Sequence, residues 1–176
     1  MINLIERAQQ FSKRIAIKSD GKDYTYLQLL KRSNEISSNL LNKKKDLKED
    51  RIAFLIPASF QYTSVQWGIW RAGGIAVPLC EKHPLSSIKY VLDDTQASIV
   101  IYSEAFEELL SPLFKNTNVR FVTYKSIPKV NCNLPTISIK SRALILYTSG
   151  TTGLPKGVVT THANIEAQIT ALTNSW

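Results

Sequence analysis

From Arg51 onward the chain alternates short apolar runs with longer stretches of helical period, and few architectures accept that alternation. Residues 51–56, RIAFLI, have the form of a buried strand. A helix is expected over 59–72, because Tyr62, Val65 and Ile69 fall on one face and Gly73 with Gly74 supply a stop. Residues 75–79 give the next strand. A second helix opens near Pro84, whose missing N–H costs nothing there, and presents Leu85, Ile88 and Leu92 on its buried side. Strands follow at 98–102 and 119–124. Between them Ser103 is expected to cap a helix reaching about Phe114, with Glu104, Glu107 and Glu108 at the positive end of its dipole.

Ahead of this alternation, residues 24–41 are helical at their core. Thr25 and Gln28 have capping-box spacing, and Leu29, Ile36 and Leu40 share a face. The preceding residues form a strand pair that feeds this helix. Residues 125–141 carry Pro128 and Pro135 between β-branched runs, which suits a connection or an edge strand and places the internal boundary there. The fold class is α/β, an open βαβ sandwich. Ligands in such sheets gather beyond the carboxyl ends of the strands.

Composition narrows the function classes. The longest apolar stretches, 52–56 and 143–147, are far shorter than the ~18 to 20 residues of a membrane span. Glu6, Gln9 and Gln10 interrupt the amino-terminal segment, which fits neither a secretory signal nor an acid-free transit peptide, so cytoplasmic residence is the default. Cys80 and Cys132 lie far apart without Cys or His at ligand spacing, so no zinc site is expected. The net charge of +8 favours an anionic partner. The basic run Lys43–Lys44–Lys45 is followed at once by Asp46, Glu49 and Asp50, as in a solvated helix end, and no nucleic-acid-binding module is present.

The strand at 143–147 runs straight into Thr148, Ser149, Gly150, Thr151, Thr152, Gly153, Leu154, Pro155, Lys156 and Gly157. Such a stretch cannot build a core. Its glycines let backbone N–H groups converge and let a ligand approach the main chain, its hydroxyls add donors, and Lys156 adds a point charge suited to phosphate. The bland alternative is a Gly- and Thr-rich surface turn. The usual P-loop is excluded, because Lys156 stands between Pro155 and Gly157 where that pattern requires Gly-Lys-Ser/Thr.

The string YTSGTTGLPKGVVTTHANI, residues 147–165, resembles the phosphate-loop signature of the adenylate-forming superfamily, which contains acyl-CoA synthetases, luciferases and peptide-synthetase adenylation domains. DYTYLQLLKRSNEISSNL, RIAFLIPASFQYTSVQWGIWRAGGIAVPL and HPLSSIKYVLDDTQASIVI extend the resemblance over nearly the whole chain. VQWGIWRAGGIAVPLCEKHP looks most like the malonyl-CoA and related acyl-CoA synthetase branch.

The resemblance implies two half-reactions: a carboxylate attacks ATP to give an acyl-adenylate and pyrophosphate, then coenzyme A takes the acyl group. It assigns Thr148, Ser149, Gly150, Thr151, Thr152, Gly153 and Lys156 to phosphate contact, with Pro155 and Gly157 as shape residues. The loop is expected to return through Gly157 to Thr161 into a helix near Asn164, with Asn164 as N-cap. His162 matches a common family position, but a lone His before a helix is more often a local hydrogen-bonding residue than a catalyst. In the family the magnesium-binding motif, the ribose-binding aspartate, the acyl pocket and the carboxyl-terminal domain with its catalytic lysine come later than Trp176. The expectation is therefore an incomplete amino-terminal AMP-binding domain, divided as 1–124, 125–141 and 142–176, with no complete catalytic set and negligible adenylation alone. The alternatives are a non-catalytic nucleotide-binding or subunit-interacting protein, and a phosphoanion- or nucleic-acid-binding module.

Overall fold

The structure, a computed structural model, describes residues 3–115, 118–130, 132–148 and 155–175. Helix α1 (Asn3–Gln10) leads into a hairpin of β1 (Ile15–Ser19) and β2 (Lys22–Thr25), and α2 (Tyr26–Leu41) follows. The alternating region then gives β3 (Arg51–Leu55), α3 (Phe60–Arg71), β4 (Ile75–Pro78), α4 (Leu85–Thr95) and β5 (Ile99–Tyr102). After a broken helical stretch centred on α5 (Glu107–Leu110) come β6 (Arg120–Thr123), β7 (Arg142–Thr148), β8 (Lys156–Thr161) and α6 (His162–Asn174).

Six strands form one sheet in the order β6-β5-β3-β4-β7-β8. All neighbours are parallel except β7 and β8, which form an antiparallel hairpin at one edge. Strand alternation sorts β3 between two cores. Ile52 and Phe54 join α2 and α3 on one face, while Ala53 and Leu55 meet Ile88, Leu92 and Leu110 on the other. Burial on both faces explains why this run carries no polar alternation. The chain moves from β3 to β4 over one face and returns from β4 to β5 over the opposite face, as right-handed crossovers require.

The capping box at Thr25 forms: its hydroxyl accepts from the Gln28 N–H and the Gln28 side chain accepts from the Thr25 N–H. Ser59 caps α3, and Gly73 takes φ +82° where the chain turns into β4. Three expectations change. The amino-terminal region holds α1 as well as the strand pair, with Ile5 and Ala8 buried one turn apart. The expected 103–114 helix is split into Glu104–Phe106, Glu107–Leu110 and Ser111–Leu113, and Ser103 makes no side-chain cap bond. The stretch breaks at Phe106, whose φ of −107° and ψ of 9° leave helical geometry, and Pro112 lacks the N–H that would carry α5 onward; Glu104 stays in the first turn of its segment while its carboxylate reaches Lys125. Third, α6 starts at His162, because Thr161 is the cap and Asn164 is its capping-box partner three positions on.

Helices α2 and α3 approach closely where Ser33, Ser37 and Gly68 meet. The Ser37 hydroxyl reaches the Gly68 carbonyl at 2.8 Å, and Arg71 donates to the Leu30 carbonyl and Ser33 Oγ. A Cβ on Gly68 would stand 2.6 Å from Ile36 Cγ2 and 3.2 Å from the Ser33 carbonyl oxygen, so the helices would have to separate. Overpacking costs about 1–3 kcal/mol, against roughly 1 kcal/mol of helix propensity regained. With two contacts under 3.0 Å the cost lies toward the upper end, so Gly68→Ala is expected to destabilise the protein by up to about 2 kcal/mol, and an unchanged denaturant midpoint would refute the close-packed crossing.

Candidate phosphate-binding site

Residues 125–141 contain no strand among those described; they pass alongside α2, where Arg32 donates to the Ile127 carbonyl and the Cys132 N–H to Ser38 Oγ, and deliver β7 beside β4. Trp70 on α3 secures the junction by donating its indole N–H to the Ala143 carbonyl at 2.7 Å. The hairpin then places the segment after Thr148 at the carboxyl end of β7, the same end at which β3, β4, β5 and β6 finish. This is where open α/β sheets collect ligands.

Thr148 pairs with Lys156 in the last rung of the ladder, and both side chains are exposed. Ser149, Gly150, Thr151, Thr152 and Gly153 lie outside the described residues. The structure thus brings Thr148 and Lys156 together and fixes the two points where the expected phosphate-contacting run begins and ends. Lys156 has no acidic partner among the described residues, so its ammonium stands open to a ligand. Gly157 faces Tyr147 across the ladder, where a Cβ would sit 3.2 Å from the ring and 3.0 Å from Ile145 Cγ2. That close approach gives Gly157 its shape role.

Two residues that the sequence did not single out complete the stem. Tyr147 donates its phenol O–H to the Asp94 carboxylate, and Tyr90 donates to the Pro155 carbonyl at 3.3 Å. The Tyr90 and Tyr147 rings meet edge to face, 6.3 Å apart at 85°. Partial burial, reinforced by the Asp94 hydrogen bond and charge, pushes the Tyr147 phenol up, so it stays a protonated donor. The available signal was the i, i+4 spacing of Tyr90 and Asp94 on α4, which marks a shared helix face without saying what it meets.

His162 belongs elsewhere. It follows β8 at the end opposite the loop, about 20 Å away at the usual rise per strand residue. The residue is 2% exposed, its ring packs edge-on against Trp70, and its backbone N–H donates to the Ser141 carbonyl. Burial pushes its pKa down to about 4, only partly opposed by Glu166 and Glu49. It is a packing residue of the α3–α6 junction.

A second cleft of about 430 Å³ opens at the carboxyl ends of β3 and β5, lined by Ser59, Gln61, Ser103, Glu104 and Lys125 among others. Among the described residues no cluster of three or more His, Cys, Asp or Glu could hold a metal ion. Cys80 and Cys132 are both exposed and free. No described helix is long and apolar enough to cross a membrane.

The chain is thus an α/β protein with a parallel-dominated sheet, helices on both faces and this antiparallel hairpin at one edge. The chain belongs to the AMP-binding enzyme family, whose model matches residues 4–176. It is 37% identical over 182 residues to the mitochondrial malonate–CoA ligase of Homo sapiens, covering 97% of this chain and 32% of that protein. It is 35% identical over 190 residues to the corresponding ligase of Xenopus laevis, covering 100% and 33%. The chain thus spans about a third of the length of the curated relatives it matches. Among solved structures, apo MatB from Rhodopseudomonas palustris superposes with a TM-score of 0.83 at 21% identity, over 99% of this chain and 38% of that one. The amino-terminal subdomain of Klebsiella oxytoca NpsA in complex with 3-hydroxybenzoyl-AMSN gives 0.76 at 24% identity, over 92% and 41%.

Proposed function

We propose that this chain supplies the polyphosphate-binding part of an AMP-forming acid–CoA ligase. In that reaction a carboxylate oxygen attacks the α-phosphorus of ATP, pyrophosphate leaves, and the thiol of coenzyme A then displaces AMP from the acyl-adenylate. The observation that carries the reading is the Thr148–Lys156 rung at the carboxyl edge of the sheet, flanking the run SGTTGLP. Main-chain N–H groups, hydroxyls and Lys156 would hold the β- and γ-phosphates and meet the charge that develops on the leaving pyrophosphate, which is positioning plus electrostatic stabilisation. Malonate is the first carboxylate to test, on the strength of the malonate–CoA ligase relatives. Groups that fix magnesium, the ribose and the acyl chain are proposed to lie outside these residues, so the chain alone is inactive in adenylation.

The test is a segment swap. Residues 1–176 replace the matching third of the human malonate–CoA ligase, and ATP–pyrophosphate exchange is measured against a panel of carboxylates. Exchange with at least one carboxylate is the expected result, and a folded but inactive chimera would refute the phosphate-binding role. Exchange by the 176-residue chain alone would refute its dependence on further segments.

A second reading, a non-catalytic nucleotide-binding or subunit-interacting protein, draws on the open edge of β8. Val158 and Val159 are 51% and 50% exposed there, and Leu146 beside them on β7 is 43% exposed, an apolar surface next to a strand edge unpaired among the described residues. A concentration-dependent mass in solution, with no exchange by the chimera, would favour it.

A further inference from the structure

The hairpin that carries the phosphate-binding run is poorly supported by the sheet itself. Ala76 of β4 stands opposite Leu144 of β7, and β4 ends at Pro78, which that parallel register places opposite Leu146. Tyr147 and Thr148 therefore extend past the last residue of β4, and among the described residues β8 has no strand on its outer side. The tip of the stem is a two-stranded ribbon, an arrangement only marginally stable in water without an outside anchor.

Helix α4 supplies that anchor from the opposite core. Ile88 and Leu92 hold the helix on the sheet, while Tyr90 and Asp94, one turn apart, reach the stem. Asp94 takes the Tyr147 hydroxyl on the outgoing strand. Tyr90 donates to the Pro155 carbonyl on the returning one, and its ring packs against that of Tyr147. Both ends of the run are thus tied to one helix turn.

We propose that Tyr90 and Asp94 are positioning residues for polyphosphate binding, fixing the spacing of Thr148 and Lys156 without touching the ligand. The proposal rests on the phosphate-binding reading and adds to it a dependence on α4. Ligand affinity then responds to side chains outside the loop, because any freedom in the stem must be lost on binding.

The probe is inorganic pyrophosphate titrated into the 176-residue chain, followed by amide chemical shifts, together with exchange of the β8 amides that bond to β7. Tyr147→Phe and Asp94→Ala are each expected to weaken pyrophosphate binding about tenfold and to speed exchange at those amides by a similar factor, the scale of one lost hydrogen bond to a charged group. The double variant should lose no more than either single one, since both remove the same bond. Asp94→Asn, which keeps an acceptor, should recover most of the affinity. Tyr90→Phe should weaken binding without changing the Tyr147–Asp94 coupling. Wild-type affinity in Tyr147→Phe and Asp94→Ala would overturn the proposal, and so would additive losses in the double variant. Absence of pyrophosphate binding by the wild type would overturn the functional reading and with it the positioning role, a result distinguished by faster amide exchange persisting in the variants.

Discussion

Lys156→Ala in the segment-swapped ligase lowers ATP–pyrophosphate exchange by a factor on the order of 10²–10³, the usual consequence of removing one preorganised group aimed at developing charge. The expectation follows from where the ammonium sits. Lys156 is exposed, lies on the rung opposite Thr148, and has no acidic partner among the described residues, so its charge is not spent within the fold. For the same reason the substitution should leave stability almost unchanged, which separates a lost ligand contact from a damaged fold. Lys156→Arg should recover only part of the rate, because a planar fork replaces a compact point charge. If Lys156→Ala exchanges pyrophosphate at the wild-type rate, the run from Thr148 to Gly157 is a surface turn and the phosphate assignment fails.

The second large effect is on acid stability. The folded pKa of His162 is about 4, whereas the unfolded chain titrates near 6.5, so above pH 6.5 the ring is neutral in both states and contributes no pH dependence. As pH falls below 6.5 the unfolded chain takes up a proton that the folded protein refuses, and stability declines until the folded ring also protonates near pH 4. The total is about 3 kcal/mol, at 1.36 kcal/mol per unit. Glu49 contributes in a different window. Its hydrogen bonds from Arg142 hold its carboxyl below the usual range, so the stability it gives is lost only as pH falls below about 4.5. Denaturant unfolding between pH 6.5 and 4.5 therefore reports mainly on His162. His162→Phe should flatten that slope; if the slope persists, another group is responsible.

Much of the architecture was legible because the central strands are covered on both faces. Runs such as RIAFL and IVIY leave little choice of environment, and the helices between them show an apolar face, the first with a clear stop at Gly73 and Gly74. Errors fell where one local detail outweighed another. Ser103 and three glutamates suggest a continuous helix, but the chain leaves helical geometry at Phe106, and Pro112 lacks the N–H that would carry α5 onward. Asn164 has the chemistry of a cap, and Thr161 takes that position while using Asn164 as its partner.

The candidate site was legible by composition and not by geometry. Glycines, hydroxyls and a lysine between apolar segments mark the run itself, and Thr148 and Lys156 do meet on one rung. Nothing local to Tyr147 announces Asp94, because the bond between them depends on how α4 lies against the sheet. His162 follows the return strand that the sequence suggested, and that antiparallel strand carries it to the other end of the sheet.

The strand order has a consequence for how the molecule assembles. β3 meets β4 after a single helix and β5 after two, whereas β4 and β7 join Ala76 to Leu144 only once β5, β6 and the long connection have been laid down. Entropy must be surrendered before so distant a pairing returns any contact energy, which makes it the slow event in reaching the native topology. The layer β6-β5-β3-β4 is thus the natural nucleus, and the β7–β8 ribbon is the last element to be captured during synthesis.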